Sequence, residues 1–270
     1  MLPVSLSDVY LYSIGNPDNL PEKEMILKSH FERLAQSRDD AEKVAINKKI
    51  IDLFKEVLEE ENSFKYPFDS LVNIGNITSG DKKVRIYTWN IAFTDGTHRY
   101  CGFVQHYLKS EKKYKIYFLS DESDLDNSLN EIPVTGNNWY GALYYQIIPV
   151  RSGKSIFYTV LGVDMNNIFT RKRIIDIIYF TDEGIRFGFP LFTDGNLVRH
   201  RVIFEYSARL TMNLKYDKSS KMIVFDHLSP SNPEHTGQYA FYGPDASVDG
   251  FKFRNNRWLY VADIDYSDRK

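Results

Sequence analysis

The chain has 270 residues, a formal net charge of −2 and a single cysteine, with 26% charged and 43% apolar residues. This composition belongs to a folded chain able to bury a sizeable core, and it excludes an internal disulfide or a cysteine-rich metal site. Near-neutral charge without a dense Lys/Arg block argues against nucleic acid, and no window approaches the roughly 20 apolar residues of a membrane-spanning helix.

In chain order, the opening MLPVSLSDVY lacks the basic region and apolar run of a signal peptide. PEKEMILKSHFERLAQ and DDAEKVAINKKIIDLFKEVLEEE then carry apolar residues at helical spacing. In the second, Val44, Ile50, Ile51, Phe54, Val57 and Leu58 form one stripe, while Lys48, Lys55 and Glu59 face away. Pro21-Glu22 suits a first helical turn, and Asp39 or Asp40 suits an N-cap. Residues 1–66 are expected to form a helical hairpin that packs on the sheet that follows.

From residue 67 the period changes to two. VRIYTWNIAFTDGTHRYCGFVQHYL places an Asp95-Gly96 turn between two aromatic runs, a strong hairpin signal. KYKIYFLS, GALYYQIIPV, KSIFYTVLGV, RIIDIIYFT, IRFGFPLF, RVIFEYSARLTMNLKY, KMIVF and FKFRNNRWLYVADI follow, with turn residues between them. The 19 Tyr and 18 Phe favour strands. About ten strands on short turns predict an antiparallel sheet, because parallel strands need helix-length crossovers. Many of these runs look apolar on both faces, which suits a barrel, a sandwich or a sheet backed by helices. The expected class is α+β, with residues 67–270 as a β-domain forming one cooperative unit with the hairpin. The basic runs Arg171-Lys172-Arg173 and Arg199-His200-Arg201 are expected to be solvated strand ends.

Signature motifs are absent: no phosphate-cradling GxxxxGK[ST], no strand-linked GxGxxG, no GxSxG and no HExxH. In SDESDLDNSLNE, Ser120 to Glu131, Asp124, Asp126 and Ser128 have the alternating spacing of a calcium loop, but that register lacks the glycine at its sixth position and the glutamate at its twelfth, so the segment is expected to be a solvated loop. Asn76-Ile77-Thr78 is a glycosylation sequon in form only. Cys101 lies in a strand-like run as a small buried side chain, and no metal site or cofactor is expected.

Two groups of residues are candidates for binding. The stretch from Phe225 to Phe251 contains Asp226, His227, Glu234, His235, Tyr242, Asp245 and Asp249. A histidine with nearby carboxylates suits ligand binding or general-base chemistry. Adjacent residues on an extended chain point to opposite faces, however, which separates Asp226 from His227. The prolines, glycines and tyrosines fit an anchored crossover first, a binding loop second and a catalytic loop last. The other candidate is a sugar-stacking surface from Trp89, Trp139 and Tyr140 beside asparagines. His98 and Arg99 are expected to be exposed hairpin residues, and Glu205, mid-strand among apolar neighbours, a partner in a structural ion pair.

The strings TWNIAFTDGTHRYCGF, NNWYGALYYQIIP, YTVLGVD, RVIFEYSARLTMNLKYD, MIVFDHLSP and GQYAFYGPDASVDGFKF resemble, across Val84 to Asp265, uncharacterised exported or envelope-associated proteins of Bacteroidetes-type bacteria. The resemblance implies a periplasmic or envelope location with the signal removed, and it assigns no catalytic residues. Where that family pattern has a Trp-Asp pair, this chain has Val163-Asp164. The expected function is a non-enzymatic module binding a small molecule, glycan or protein. The alternatives are a hydrolase of glycans or peptides using Asp226 and His227, and a structural component of an envelope assembly.

Overall fold

The computed structural model describes residues 19–121 and 132–265. The two periodic segments are helices α1 (Leu20–Gln36) and α2 (Asp40–Glu59). The Asn19 side chain accepts from the Glu22 backbone N–H at 3.3 Å, and Asp39 accepts from that of Glu42 at 2.6 Å, so each helix starts on a side-chain cap. Asp40 does different work. Its carboxylate accepts from the Thr94 N–H and hydroxyl at 3.1 and 2.6 Å, tying α2 to the following hairpin.

The inward face of α2 is rotated from the expected stripe. Val44 is 45% exposed, while Lys43 and Asn47 are buried. Lys43 donates to the Ala92 carbonyl at 2.7 Å, and Asn47 accepts from the Trp89 indole N–H at 2.7 Å. Two polar residues take the inner face because the sheet beneath offers a carbonyl and an indole that need partners.

That sheet contains β1 (Gly75–Thr78), β2 (Val84–Ala92), β3 (His98–Leu108) and β4 (Lys113–Ser120), antiparallel and in chain order. The Asp95-Gly96 turn joins β2 to β3, with Gly96 at φ +86°, as predicted. A middle sheet holds β5 (Val134–Thr135), β6 (Leu143–Ser152), β7 (Ser155–Asp164), β8 (Thr170–Thr181) and β9 (Gly184–Phe187) in the order β5-β9-β8-β7-β6. β12 (Val202–Ser207) pairs with the first half of β8. The third sheet holds β10 (Phe192–Asp194), β11 (Leu197–Arg199), β13 (Leu214–Asp217), β14 (Met222–Pro230), β15 (Tyr242–Arg254) and β16 (Arg257–Val261). Its order is β11-β10-β16-β15-β14-β13, antiparallel except for the β10–β16 pair.

Alternation along the strands sorts the side chains into three cores. From β2, Tyr87, Trp89 and Ile91 face α1 and α2, while Val84 and Ile86 face the middle sheet. From β7 and β8, Val160, Ile174 and Ile178 join Val84 and Ile86, while Leu161, Ile175 and Ile177 face the third sheet. The architecture is therefore a helix layer followed by three stacked sheets. It is α+β and mainly antiparallel, with no closed barrel among the described residues. The expected count of about ten strands is too low, because β1, β5, β10, β11 and β13 are each four residues or fewer and too short to display a period.

Arg201 is also not the solvated strand end expected. Its side chain is fully buried, with Nε 3.1 Å from Oδ2 of the equally buried Asp176 on β8. Both Nη atoms lack hydrogen-bond partners, and the guanidinium stands 5.8 Å over the Tyr140 ring. Burial drives the Asp176 carboxyl above its usual range, with Arg201 opposing that shift.

The helix–sheet core centres on Phe54, which is fully buried against Phe68, Tyr87, Trp89 and Phe103 at centroid distances of 5.0–5.9 Å. Phe54→Ala is expected to cost about 3–5 kcal/mol in denaturant unfolding. Val44→Ala, on the exposed flank of the same helix, should stay within about 0.5 kcal/mol. Similar losses for the two would contradict the packing direction of α2.

Candidate functional site

Between β14 and β15, the segment expected to be a long crossover is mostly strand. The two pair out to Pro230 and Tyr242, leaving a tip of residues 231–241 with two short 3-10 turns. The ladder is interrupted where Asp226↔Val248 shifts to Leu228↔Pro244, setting His227 opposite Asp245, Ala246 and Ser247. Ala246 takes φ +75° to make this bulge. Asp245 fastens it, accepting from the Ser229 hydroxyl at 2.6 Å and from the Ser247 hydroxyl and N–H at 2.7 and 3.1 Å. Those hydrogen bonds, that of Ser229 foremost, hold its carboxyl down at about 2.

The candidate residues of this stretch separate by role. Asp226 accepts from the backbone N–H and side-chain amide of Asn213 at 2.7 and 2.9 Å, which secures the start of β13. The Tyr242 hydroxyl accepts from the Gly237 N–H at 3.0 Å and clamps the hairpin tip. His235 is stacked on Phe241 at 4.1 Å. With Asp245 on the bulge, these are supports of the hairpin.

His227 and Asp249 come together. They follow Phe225 and precede Phe251 by two residues, which puts them on the inner face of the third sheet. His227 Nδ1 lies 2.6 Å from Asp249 Oδ2, which also accepts from the Tyr260 hydroxyl at 2.5 Å. Asp249 Oδ1 accepts from the Asp263 N–H at 3.1 Å. The Asp249 side chain is 3% exposed and that of His227 43%. A carboxylate on Nδ1 fixes the proton there, and Nε2 has no hydrogen-bond partner among the described residues. The hydrogen bond from Asp249 raises the His227 pKa, while burial and then Asp249 raise that of Tyr260.

This cluster lies at the mouth of a cavity of about 220 Å³ where the core between the middle and third sheets reaches the surface. Val202 and Phe204 of β12 line one side and Phe192, Phe225 and Phe251 the other. Phe204–Phe225, Phe225–Phe251 and Phe192–Phe251 centroids are 4.6, 5.6 and 5.4 Å apart, a continuous aromatic wall. Asp194 and Arg199 complete the polar rim.

The other candidates lie elsewhere. Trp89, Trp139 and Tyr140 are 1%, 0% and 5% exposed, so no ring face is available to a sugar and the stacking-platform expectation fails. Each polar tip is bound internally: Trp89 to Asn47, Trp139 to the Tyr144 hydroxyl at 2.9 Å, and Tyr140 by Lys172 at 3.2 Å. Glu205 accepts from the Thr170 hydroxyl at 2.7 Å and is the cross-strand neighbour of Lys172. Cys101 is buried and accepts from the Asn47 amide at 3.4 Å, and burial pushes its thiol up to about 11, the setting of a structural cysteine. Asn76 is bonded to the Pro67 carbonyl and Arg85, and His98 to Asn90. Val163 lies in register with Phe204 through Arg173 but does not line the cavity. Of the calcium-like segment Ser120–Glu131, residues 122–131 lie outside the described residues. No cluster of metal-ligating side chains occurs among the described residues.

Phe192, Asp194, Arg199, Val202, Phe204 and Tyr260 also line the cavity, and no local motif marks them. The signal available was alternation: carrying the period of KMIVF through Asp226 aligns His227 with Phe225. The parallel β10–β16 pairing that brings Asp194 near Tyr260 leaves no local trace. Comparison with protein-family models, curated proteins and solved structures finds no match to this chain.

Because the folded pKa of His227 lies above the ordinary value of about 6.5, its pairing with Asp249 contributes fully below that pH and is lost as pH rises through the folded value. An NMR titration should find His227 changing charge above about 6.5, well apart from His106, which burial lowers to about 4. In Asp249→Asn the His227 transition should move down, and the loss of thermal stability across that window should shrink. A wild-type His227 titrating at or below the ordinary value would contradict the pairing.

Proposed function

We propose that this chain is a non-enzymatic binding module that takes a small molecule in the cavity between its middle and third sheets. One observation carries the reading: a buried aromatic wall opens to the surface beside an oriented, half-exposed imidazole. Small-molecule sites combine an apolar lining with a few convergent polar groups in this way. The packing of either core alone does not require His227, Asp194 and Arg199 to share one opening. The resemblance of the strand sequences to envelope-associated proteins supports placing the module in a bacterial envelope.

A hydrolytic reading has one observation in its favour, since a buried carboxylate orienting an imidazole is a general-base arrangement. The neighbouring groups favour binding. Asp226 and Asp245 are bound to Asn213, Ser229 and Ser247, and no hydroxyl or thiol donates to His227 among the described residues.

Amide and aromatic-ring NMR spectra recorded with a library of small apolar fragments should show shifts at Phe225, His227, Phe251 and Tyr260. Phe204→Trp, which adds bulk at a half-buried cavity wall, should abolish those shifts while leaving the fold intact. Fragment binding unaffected by Phe204→Trp, or hydrolysis of glycan or peptide substrates abolished by His227→Gln, would reject the proposal.

A further inference from the structure

We propose that the ligand of this cavity is a small carboxylate with an aromatic or branched apolar body, its anion held by Arg199 and His227. The inference rests on the cavity being a binding site and adds the chemical class of what enters.

Size is the first constraint. At about 220 Å³ the cavity lies below the roughly 300–1,000 Å³ of drug-sized sites, which limits the occupant to about one ring and a short side chain. The body of such a molecule meets Phe192, Phe204, Phe225 and Phe251, where ring stacking adds to area burial.

Charge at the rim is the second. Arg199 is the direct cross-strand neighbour of Phe192, on the same face, and it has no salt bridge among the described residues. His227 presents an unpartnered Nε2. The carboxylates around them are largely occupied. Asp249 accepts from His227, Tyr260 and the Asp263 N–H, Asp226 from Asn213, and Asp245 from Ser229 and Ser247. Asp194, exposed and two residues from Phe192 on the same strand, is the rim carboxylate with no hydrogen bond among the described residues. Two uncommitted donors thus face one uncommitted acceptor, and an incoming carboxylate satisfies both donors. A ligand ammonium or hydroxyl can meet Asp194 at the same time.

The groups facing His227 make the interaction pH-dependent. Asp249 and Tyr260 stand at its Nδ1 side, Asp194 and Arg199 share the cavity rim with it, and Asp245 and Asp263 lie on the neighbouring backbone. While the ring is charged, Nε2–H donates to the anion. Once it deprotonates, Nε2 presents a lone pair to the carboxylate and repels it.

The test uses the full chain with three probes of equal shape, 3-phenylpropionate, 3-phenylpropanol and 3-phenylpropylamine, titrated by NMR at about pH 6 and about pH 9. The acid should bind tightest at the lower pH and weaken about tenfold at the higher. Arg199→Gln, an exposed position that leaves the fold intact, should weaken the acid about tenfold and leave the alcohol unchanged. His227→Gln should remove the pH dependence. Tighter binding of the amine, or an acid affinity indifferent to Arg199→Gln, overturns the charge assignment while leaving the cavity a binding site. Absence of any shift at Phe225, Phe251 and Tyr260 with all three probes removes the cavity reading itself.

Discussion

Strands β7 and β8 have no face toward water, and the rest of the architecture follows from covering both their sides. Val160, Leu161, Ile174, Ile175, Ile177 and Ile178 are each at most 1% exposed. Burying such side chains is worth about 1.5–3 kcal/mol apiece, so packing outweighs any single polar contact in holding the layers together. One face is met by the first sheet and the other by the third. Covering the middle sheet leaves Tyr87, Trp89 and Phe103 on the far side of the first, and α1 and α2 are the lid for those. A two-sided sheet also restricts its polar residues. Asp176 and Thr159 are fully buried on β8 and β7, and each has a partner, Arg201 and the Trp258 indole. A buried ion pair contributes little net stability, but removing one partner strands a charge. The Asp176–Arg201 pair is therefore a requirement of the position more than a source of strength.

The cavity forms where this double-sided arrangement runs out. The facing surfaces of β12 and β14–β15 keep their aromatic residues to the end of the core, and the next inward positions are His227 and Asp249. A carboxylate 3% exposed is held there by His227, Tyr260 and the Asp263 N–H, so its charge is balanced where water cannot solvate it. The bulge at residues 245–247 and the caps on Asp226 and Tyr242 keep the hairpin in register beneath that group. Several of the polar residues crowded into this stretch thus serve the ladder, while one histidine and one aspartate face the opening.

Element by element, the legible parts are those whose signal is local. The Pro21-Glu22 start of α1, the Asp39 cap of α2, the Asp95-Gly96 hairpin and the long strands show in local residue pairs and period-two runs. The inner face of α2 is not legible locally, because Lys43 and Asn47 answer to Ala92 and Trp89, 49 and 42 residues away. Trp89, Trp139 and Tyr140 looked like a sugar surface because they sit beside asparagines, yet their polar tips are bound inside the protein. Strand geometry separated Asp226 from His227, and the structure commits Asp226 to Asn213. The partner of His227 is Asp249, 22 residues on and across the hairpin.

An α+β chain with helices first and an antiparallel sheet after is legible in residue order alone, since hydrophobic period, caps and turn residues act over a few neighbours. The same order marks the strands as apolar on both faces. The covering of these faces by stacking three sheets, the burial of Arg201, and the meeting of one hairpin's polar end with β12 and β10 around a cavity arise only in the folded chain. Those outcomes depend on which apolar face meets which across dozens of residues. Burial free energy rewards any well-packed pairing of such faces, so the choice among them is made by the fit of the whole chain.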